Sequence, residues 1–165
     1  MPPWLIPAAL SLVVLTRPAL GYVKGRPTFI FLRSIGYGAA LARPAAKAFL
    51  RMQEAAARDG IWLRPGSGFR SWTSQAYLWT VAHAAAVKAA VLQLRPSLID
   101  ETVPPTAKPG YSNHNRGTAV DLANPQQPRA SITFQSPEYK WLQANARLFG
   151  FKGLSTEAWH WEWVG

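Results

Sequence analysis

The chain of 165 residues predicts a single α+β domain in which helices pack on a small, mostly antiparallel sheet. Three observations lead there. Short β-branched and aromatic segments recur between segments whose apolar residues keep helical spacing. Pro and Gly are spread along the chain as turn punctuation and are not gathered into a linker. The length and a hydrophobic content of 48% suit one buried core and argue against disorder.

Taken in order, Thr28 to Leu32 (TFIFL) reads as a strand. Arg43-Pro44 opens a helix, with Pro in the first turn where its missing N–H costs nothing. Ala45, Phe49, Met52 and Ala56 follow at helical spacing, and Gly60 ends the helix. A second, alanine-rich helix starts near Thr73 or Ser74 and runs to about Gln93; its alanines predict close packing on a neighbour. Val103 to Gly110 (VPPTAKPG) is a loop, because prolines remove the donors a regular element needs. Thr118 to Leu122 (TAVDL) is a strand, and Asn124 to Ser136 is a connection. Ser136-Pro137-Glu138 starts a third helix: a hydroxyl cap, Pro at the first position, an acid in the first turn. Tyr139, Leu142, Ala146 and Phe149 line one face of it, and Gly150 stops it. Trp159 to Val164 alternates as a strand.

The first 21 residues stand apart. Trp4 to Leu15 is largely apolar, and Ala19-Leu20-Gly21 offers small residues suited to signal cleavage. A positive region before the apolar stretch is missing, Arg17 follows it, and it is short for a transmembrane helix. Two readings stand. One is a signal that exports the domain formed by residues 22–165 to the periplasm or cell envelope. The other is a buried N-terminal arm on a cytoplasmic protein.

Composition narrows the function classes. There is no cysteine, which removes disulfides, thiolate metal sites and cysteine nucleophiles; any metal must be held by imidazole and carboxylate. The net charge of +10 attracts polyanions, an anionic envelope surface among them. The cations Arg17, Arg26, Arg33, Arg43, Arg51, Arg58 and Arg64 are scattered, without the dense patch of a nucleic-acid element, so no specific nucleic-acid partner is expected.

Only three histidines are present. His83 lies among alanines in the second helix and receives no role. His114 sits in Ser112-Asn113-His114-Asn115-Arg116-Gly117, ahead of Asp121. On an unbroken helix His114 and Asp121 would be about 10 Å apart. A turn at Arg116-Gly117 can instead fold His114 back beside Asp121, with the small Ala119 leaving room. Asp121 lies between Val120 and Leu122, and a charge in an apolar strand needs a partner. In Glu157-Ala158-Trp159-His160-Trp161-Glu162-Trp163, alternation puts His160 and Glu162 on one face and three tryptophans on the other, the core face. Glu157 stands at the strand's start.

Two imidazoles and a carboxylate make a three-ligand zinc site with an open fourth position, the catalytic arrangement. Zinc lowers the pKa of water there to about 7. A carboxylate beside it can take the proton during attack and pass it to the leaving amine. The developing oxyanion needs a further positive partner, and Arg70 in Ser67-Gly68-Phe69-Arg70-Ser71 is the candidate. The competing reading has Asp121 capping a turn and His160 hydrogen-bonded in the core. The same donors could also take other divalent ions.

Ser112-x-His114-x-x-Gly117-x-Ala119-x-Asp121 and Glu157-x-Trp159-His160-x-Glu162 resemble the two signatures of the vancomycin-resistance (VanY) type of D-alanyl-D-alanine carboxypeptidases. These belong with the LAS metallopeptidases, which include lysostaphin-like enzymes and the hedgehog signalling domain. Ser67 to Ser71, with Gln75, resembles the family's arginine motif. Tyr139-x-Trp141-Leu142 and Asn145-Ala146-x-x-Phe149-Gly150-Phe151 resemble its helix before the last signature. The match covers residues 40 to 165. The resemblance implies an LAS/hedgehog-like fold, and one zinc ion on His114, Asp121 and His160. Glu157 is then the general base and acid, Arg70 stabilises the oxyanion, and Ser112 and Gln75 lie near the substrate. It implies a hydrolase of peptidoglycan stem peptides that removes the terminal D-Ala; a monomer is expected. The alternatives of the same fold are an endopeptidase cutting within the stem or cross-bridge and a zinc-stabilised binding module without turnover.

Overall fold

The computed structural model describes residues 16–92 and 106–165. The apolar segment Trp4 to Leu15 and the first three residues (103–105) of the expected proline loop lie outside the described residues. The elements in chain order are β1 (Arg17–Val23), β2 (Arg26–Gly36), β3 (Ala39–Ala42), α1 (Arg43–Arg58), β4 (Arg64–Ser67) and α2 (Trp72–Leu92). A single helical turn α3 (Asn113–Arg116), β5 (Ala119–Ala123) and α4 (Pro137–Asn145) follow, then a 3₁₀ turn at Ala146–Phe149, β6 (Phe151–Gly153) and β7 (His160–Trp163).

The strands form two small antiparallel sheets where one was expected. The first runs β1-β2-β3 and the second β4-β5-β7-β6. The expected strand Thr28 to Leu32 is the middle of the longer β2, and Ala19-Leu20-Gly21 is the middle of β1.

α1 is the helix that joins the two sheets. Its expected face of Ala45, Phe49, Met52 and Ala56 is fully buried, against Leu41 of the first sheet and Val120, Leu122, Phe151 and Trp161 of the second. Phe49 meets Phe151 edge to face, with ring centroids 6.0 Å apart. Pro44 sits in the first turn as expected, and the Ala42 N–H ahead of it donates to the Gly117 carbonyl at 2.8 Å.

α2 begins at Trp72, beside the expected start near Thr73 or Ser74, and the Ser71 hydroxyl caps it by accepting from the Ser74 N–H at 3.1 Å. Of its alanines whose burial is described, Ala86 is buried, Ala76 and Ala82 are half-buried and Ala84 is exposed, while Tyr77, Leu78, Val81, Val91 and Leu92 are exposed. Ser136 does precede α4, but its hydroxyl makes no cap; it accepts instead from the Thr133 N–H at 2.9 Å, closing the preceding turn. The helix then tightens into the 3₁₀ turn and stops at Gly150 in the left-handed region.

Candidate active site

The site is built across adjacent strands of the second sheet. Ser67 on β4 is in register with Asp121 on β5, which is in register with His160 on β7. Residues in register on neighbouring strands bring their side chains to one face within about 5 Å. The opposite face of the same strands carries Val120, Leu122 and Trp161, all in the core. The alternation read from the sequence therefore holds for His160 and Glu162 against Trp161. Trp159, which precedes β7, is half-buried; it packs against the core and also lines the cleft.

His114 arrives from the other side, on α3. The sequence placed a turn here, and the structure makes it one turn of helix. Ser112 caps the turn by accepting from the His114 N–H at 3.2 Å. Gly117 closes it at φ 74°, and a Cβ there would lie 2.9 Å from the Ala42 nitrogen. The neighbouring Asn115 is completely buried and works as a clamp. Its amide donates to the carbonyls of Arg70 (2.7 Å) and Ser71 (3.1 Å), and its oxygen accepts from the Gly110 N–H at 2.9 Å.

The donors converge. His114 Nε2 is 3.3 Å from Asp121 Oδ2, and His160 Nδ1 is 2.9 Å from Asp121 Oδ1. Ligand atoms of the three residues all lie within 4.8 Å of one another. An edge of about 3.3 Å is what tetrahedral donors give at bonds of about 2.0–2.1 Å.

The far nitrogens are also committed. His114 Nδ1 donates to the Gly68 carbonyl at 2.7 Å, which leaves Nε2 as the lone-pair donor. His160 Nε2 faces Glu162 Oε1 at 3.0 Å, which leaves Nδ1 for the cluster. The Ser67 hydroxyl donates to Asp121 Oδ2 at 2.7 Å. Fixing each ligand through its other atom is what holds a metal site in shape. The residues present thus fit a divalent ion of the zinc class.

Electrostatics agree. Eight Asp and Glu residues occur in the chain, and Asp121, Glu157 and Glu162 all line this one cleft. Burial alone would raise the Asp121 pKa, but hydrogen bonds from His114 and His160 outweigh it and hold the carboxyl far below its usual range. Burial likewise works against a charged His160; the carboxylates of Asp121 and Glu162 reverse that and raise its pKa. Glu162 is lowered, its burial outweighed by hydrogen bonds from Asn113 and His160. An imidazole between two carboxylates calls for positive charge, supplied by a proton or by a cation in the cluster.

The other expected residues sit around a cleft of about 330 Å³. Glu157 Oε2 is 4.0 Å from His160 Nδ1, beside the open side of the cluster. Arg70 Nη2 is 3.6 Å from Asp121 Oδ2. Gln75 is buried behind Arg70: its oxygen accepts from Arg70 Nη1 at 2.9 Å, and its amide donates to the Ala107 carbonyl at 2.7 Å. Ser112 lines the cleft while capping α3. His83 is remote from the cluster; its ring stacks on Trp79 and its Nδ1 meets the Trp79 carbonyl at 2.8 Å. Sequence reasoning gave no role to Glu162, the Gly68 carbonyl, Ser67 or Asn115. Only Glu162 carried a signal, through its shared strand face with His160.

Comparison with known proteins agrees with this geometry. No curated protein matches the chain. Among solved structures, a point mutant of the vancomycin-resistance D,D-pentapeptidase VanY from a VanB-type cassette, in complex with Zn(II), shares 23% identity. That match covers 82% of this chain and 79% of that one, with a TM-score of 0.62. VanYB in complex with D-alanine-D-alanine shares 24% over 82% and 78%, with a TM-score of 0.66. The L,D-carboxypeptidase DacB of Streptococcus pneumoniae shares 21% over 92% and 86%, with a TM-score of 0.53. These likenesses establish the shared fold. The family profile described as VanY, D-alanyl-D-alanine carboxypeptidase, matches residues 38–165, a span that holds every residue of the cluster and its cleft, and the chain belongs to that family.

Proposed function

We propose that the protein is a zinc-dependent D-alanyl-D-alanine carboxypeptidase that hydrolyses the terminal D-Ala of peptidoglycan stem peptides. The observation that carries this reading is one cleft holding the His114–Asp121–His160 cluster, with Glu157 and Arg70 on its rim. The zinc-bound VanY structure and the VanYB complex with D-alanine-D-alanine support the ion and the substrate class.

His114 Nε2, Asp121 and His160 Nδ1 would hold the ion. It supplies Lewis acidity toward a peptide carbonyl and toward water at neutral pH. Glu157 takes a proton from the attacking water and returns it to the leaving amine. Arg70, held by Gln75 from behind, presents its guanidinium to the oxyanion that develops on the carbonyl. Ser112 lines the floor beside His114, within reach of a bound peptide. Gln75 lines the cleft, near the substrate, and also holds Arg70 and the Ala107 carbonyl. The domain acts as a monomer on the wall side of the cytoplasmic membrane, to which the apolar N-terminal segment delivers it without cleavage at Ala19-Leu20-Gly21, the middle of β1.

A second reading has specific support, because DacB and the LdcB structure are L,D-carboxypeptidases of the same fold. Mass spectrometry of defined stem peptides after incubation with zinc-loaded protein separates the readings. Loss of one alanine from a pentapeptide is expected. An intact pentapeptide with a shortened tetrapeptide would favour the L,D reading. Cleavage of cross-bridged muropeptides alone would favour an endopeptidase.

A further inference from the structure

We propose that the outer face of the β1–β2 hairpin docks on an anionic lipid bilayer. The hairpin breaks the usual rule for a surface sheet. One face packs inward through Gly21, Ile30 and Leu32, with the Gly21 Cα direction closed by the Ile30 side chain and the Asn115 carbonyl. The other face, which should be polar, carries Pro18 and Leu20 opposite Phe31 and Phe29. Phe29 is 82% exposed, Phe31 58% and Leu20 48%. Exposed aromatics paired across strands form a contiguous apolar patch, and such patches mark an interaction surface.

Charge identifies the occupant. The first 53 residues contain seven Lys and Arg and no Asp or Glu. Of these, Arg17, Lys24 and Arg26 are exposed at the two ends of the hairpin, flanking the aromatic patch. Apolar rings set among cations, in a stretch of sequence without Asp or Glu, suit the boundary between anionic headgroups and acyl chains. A soluble polyanion would use the cations and have no use for the phenylalanines. The position in the chain agrees: the apolar stretch Trp4 to Leu15 runs directly into β1. Among the described residues no helix is long and apolar enough to cross a membrane.

Docking there orients the cleft. The Gly25 N–H at the hairpin turn donates to the Gly110 carbonyl at 2.9 Å, and Gly25 packs on the Tyr111 ring, which lines the cleft. A bilayer under the hairpin thus holds one rim of the cleft beside the lipid surface. None of this depends on the catalytic reading.

The test uses the full chain and vesicles of phosphatidylcholine with and without about one-third phosphatidylglycerol. Co-sedimentation should show binding to the anionic vesicles that weakens severalfold in high salt. The Phe29→Ser/Phe31→Ser variant should bind at least about tenfold more weakly, and Phe29→Leu/Phe31→Leu should retain binding. Because the chain has no cysteine, Phe29→Cys can carry a single polarity-sensitive fluorophore. Its emission should shift to the blue on anionic vesicles, whereas the same label at Leu148→Cys, exposed on the 3₁₀ turn, should not respond. Absence of vesicle binding would overturn the proposal. So would undiminished binding by the serine variant, or a Phe29 label that stays in water on bound protein.

Discussion

Replacing Glu162 by glutamine removes a carboxylate from one side of His160 while leaving an acceptor oxygen in place. In the native site Glu162 Oε1 is 3.0 Å from His160 Nε2, and that contact directs His160 Nδ1 toward Asp121 and His114. Partners of this kind, one bond removed from the metal, are worth roughly 10–100-fold in metal affinity, or about 1.4–2.8 kcal/mol. Glu162 is a quarter exposed, and water can replace part of the contact. Glu162→Gln therefore belongs near the tenfold end, and Glu162→Ala, which leaves Nε2 without a protein acceptor, near the hundredfold end. Zinc affinity measured by competition with a chelator checks both. NMR titration of the metal-free variants gives an independent readout, since loss of the carboxylate should lower the raised pKa of His160. Native zinc affinity in both variants, with an unmoved His160 titration, would refute the idea that Glu162 orients the ligand.

Other consequences can be checked directly. Glu157→Ala should bind zinc normally and lose about 10²–10⁴-fold in kcat, read by peptide mass spectrometry alongside chelator competition. Gly68→Ala should weaken zinc binding by about tenfold or more, because the new Cβ would overlap the Ala40 carbonyl and push the Gly68 carbonyl away from His114 Nδ1. Phe49→Ala should destabilise the fold by about 3–5 kcal/mol in denaturant titrations, since the ring is wholly buried against Phe151. In metal-free protein, Asp121 contributes stability above its ordinary pKa of 3.8 that is lost as pH falls below it. The raised His160 contributes stability below 6.5 that is lost as pH rises through its folded value. Zinc displaces that proton, so it should raise Tm more at about pH 8 than at about pH 5, as thermal melts will show.

Much of this was written in the chain itself. Helical spacing of Ala45, Phe49, Met52 and Ala56 determined the buried face of α1, because a 3.6-residue period puts those side chains on one stripe whatever they pack against. Strand alternation determined that His160 and Glu162 share a face, and an acid between Val120 and Leu122 announced that Asp121 needed a partner. The donor types, with cysteine absent, confined any metal to imidazole and carboxylate. What only the tertiary structure decided are the relations between segments distant in sequence. Periodicity carries no information about strand order, so the Ser67–Asp121–His160 register could not be read. Nor could the split into two sheets, or which face of the β1–β2 hairpin is left exposed. The tautomers of both histidines were settled by a backbone carbonyl 46 residues away from one and a neighbouring carboxylate beside the other. A local pattern names which side chains face together; only the folded chain brings the partners within the 3 Å where hydrogen bonds choose their protons.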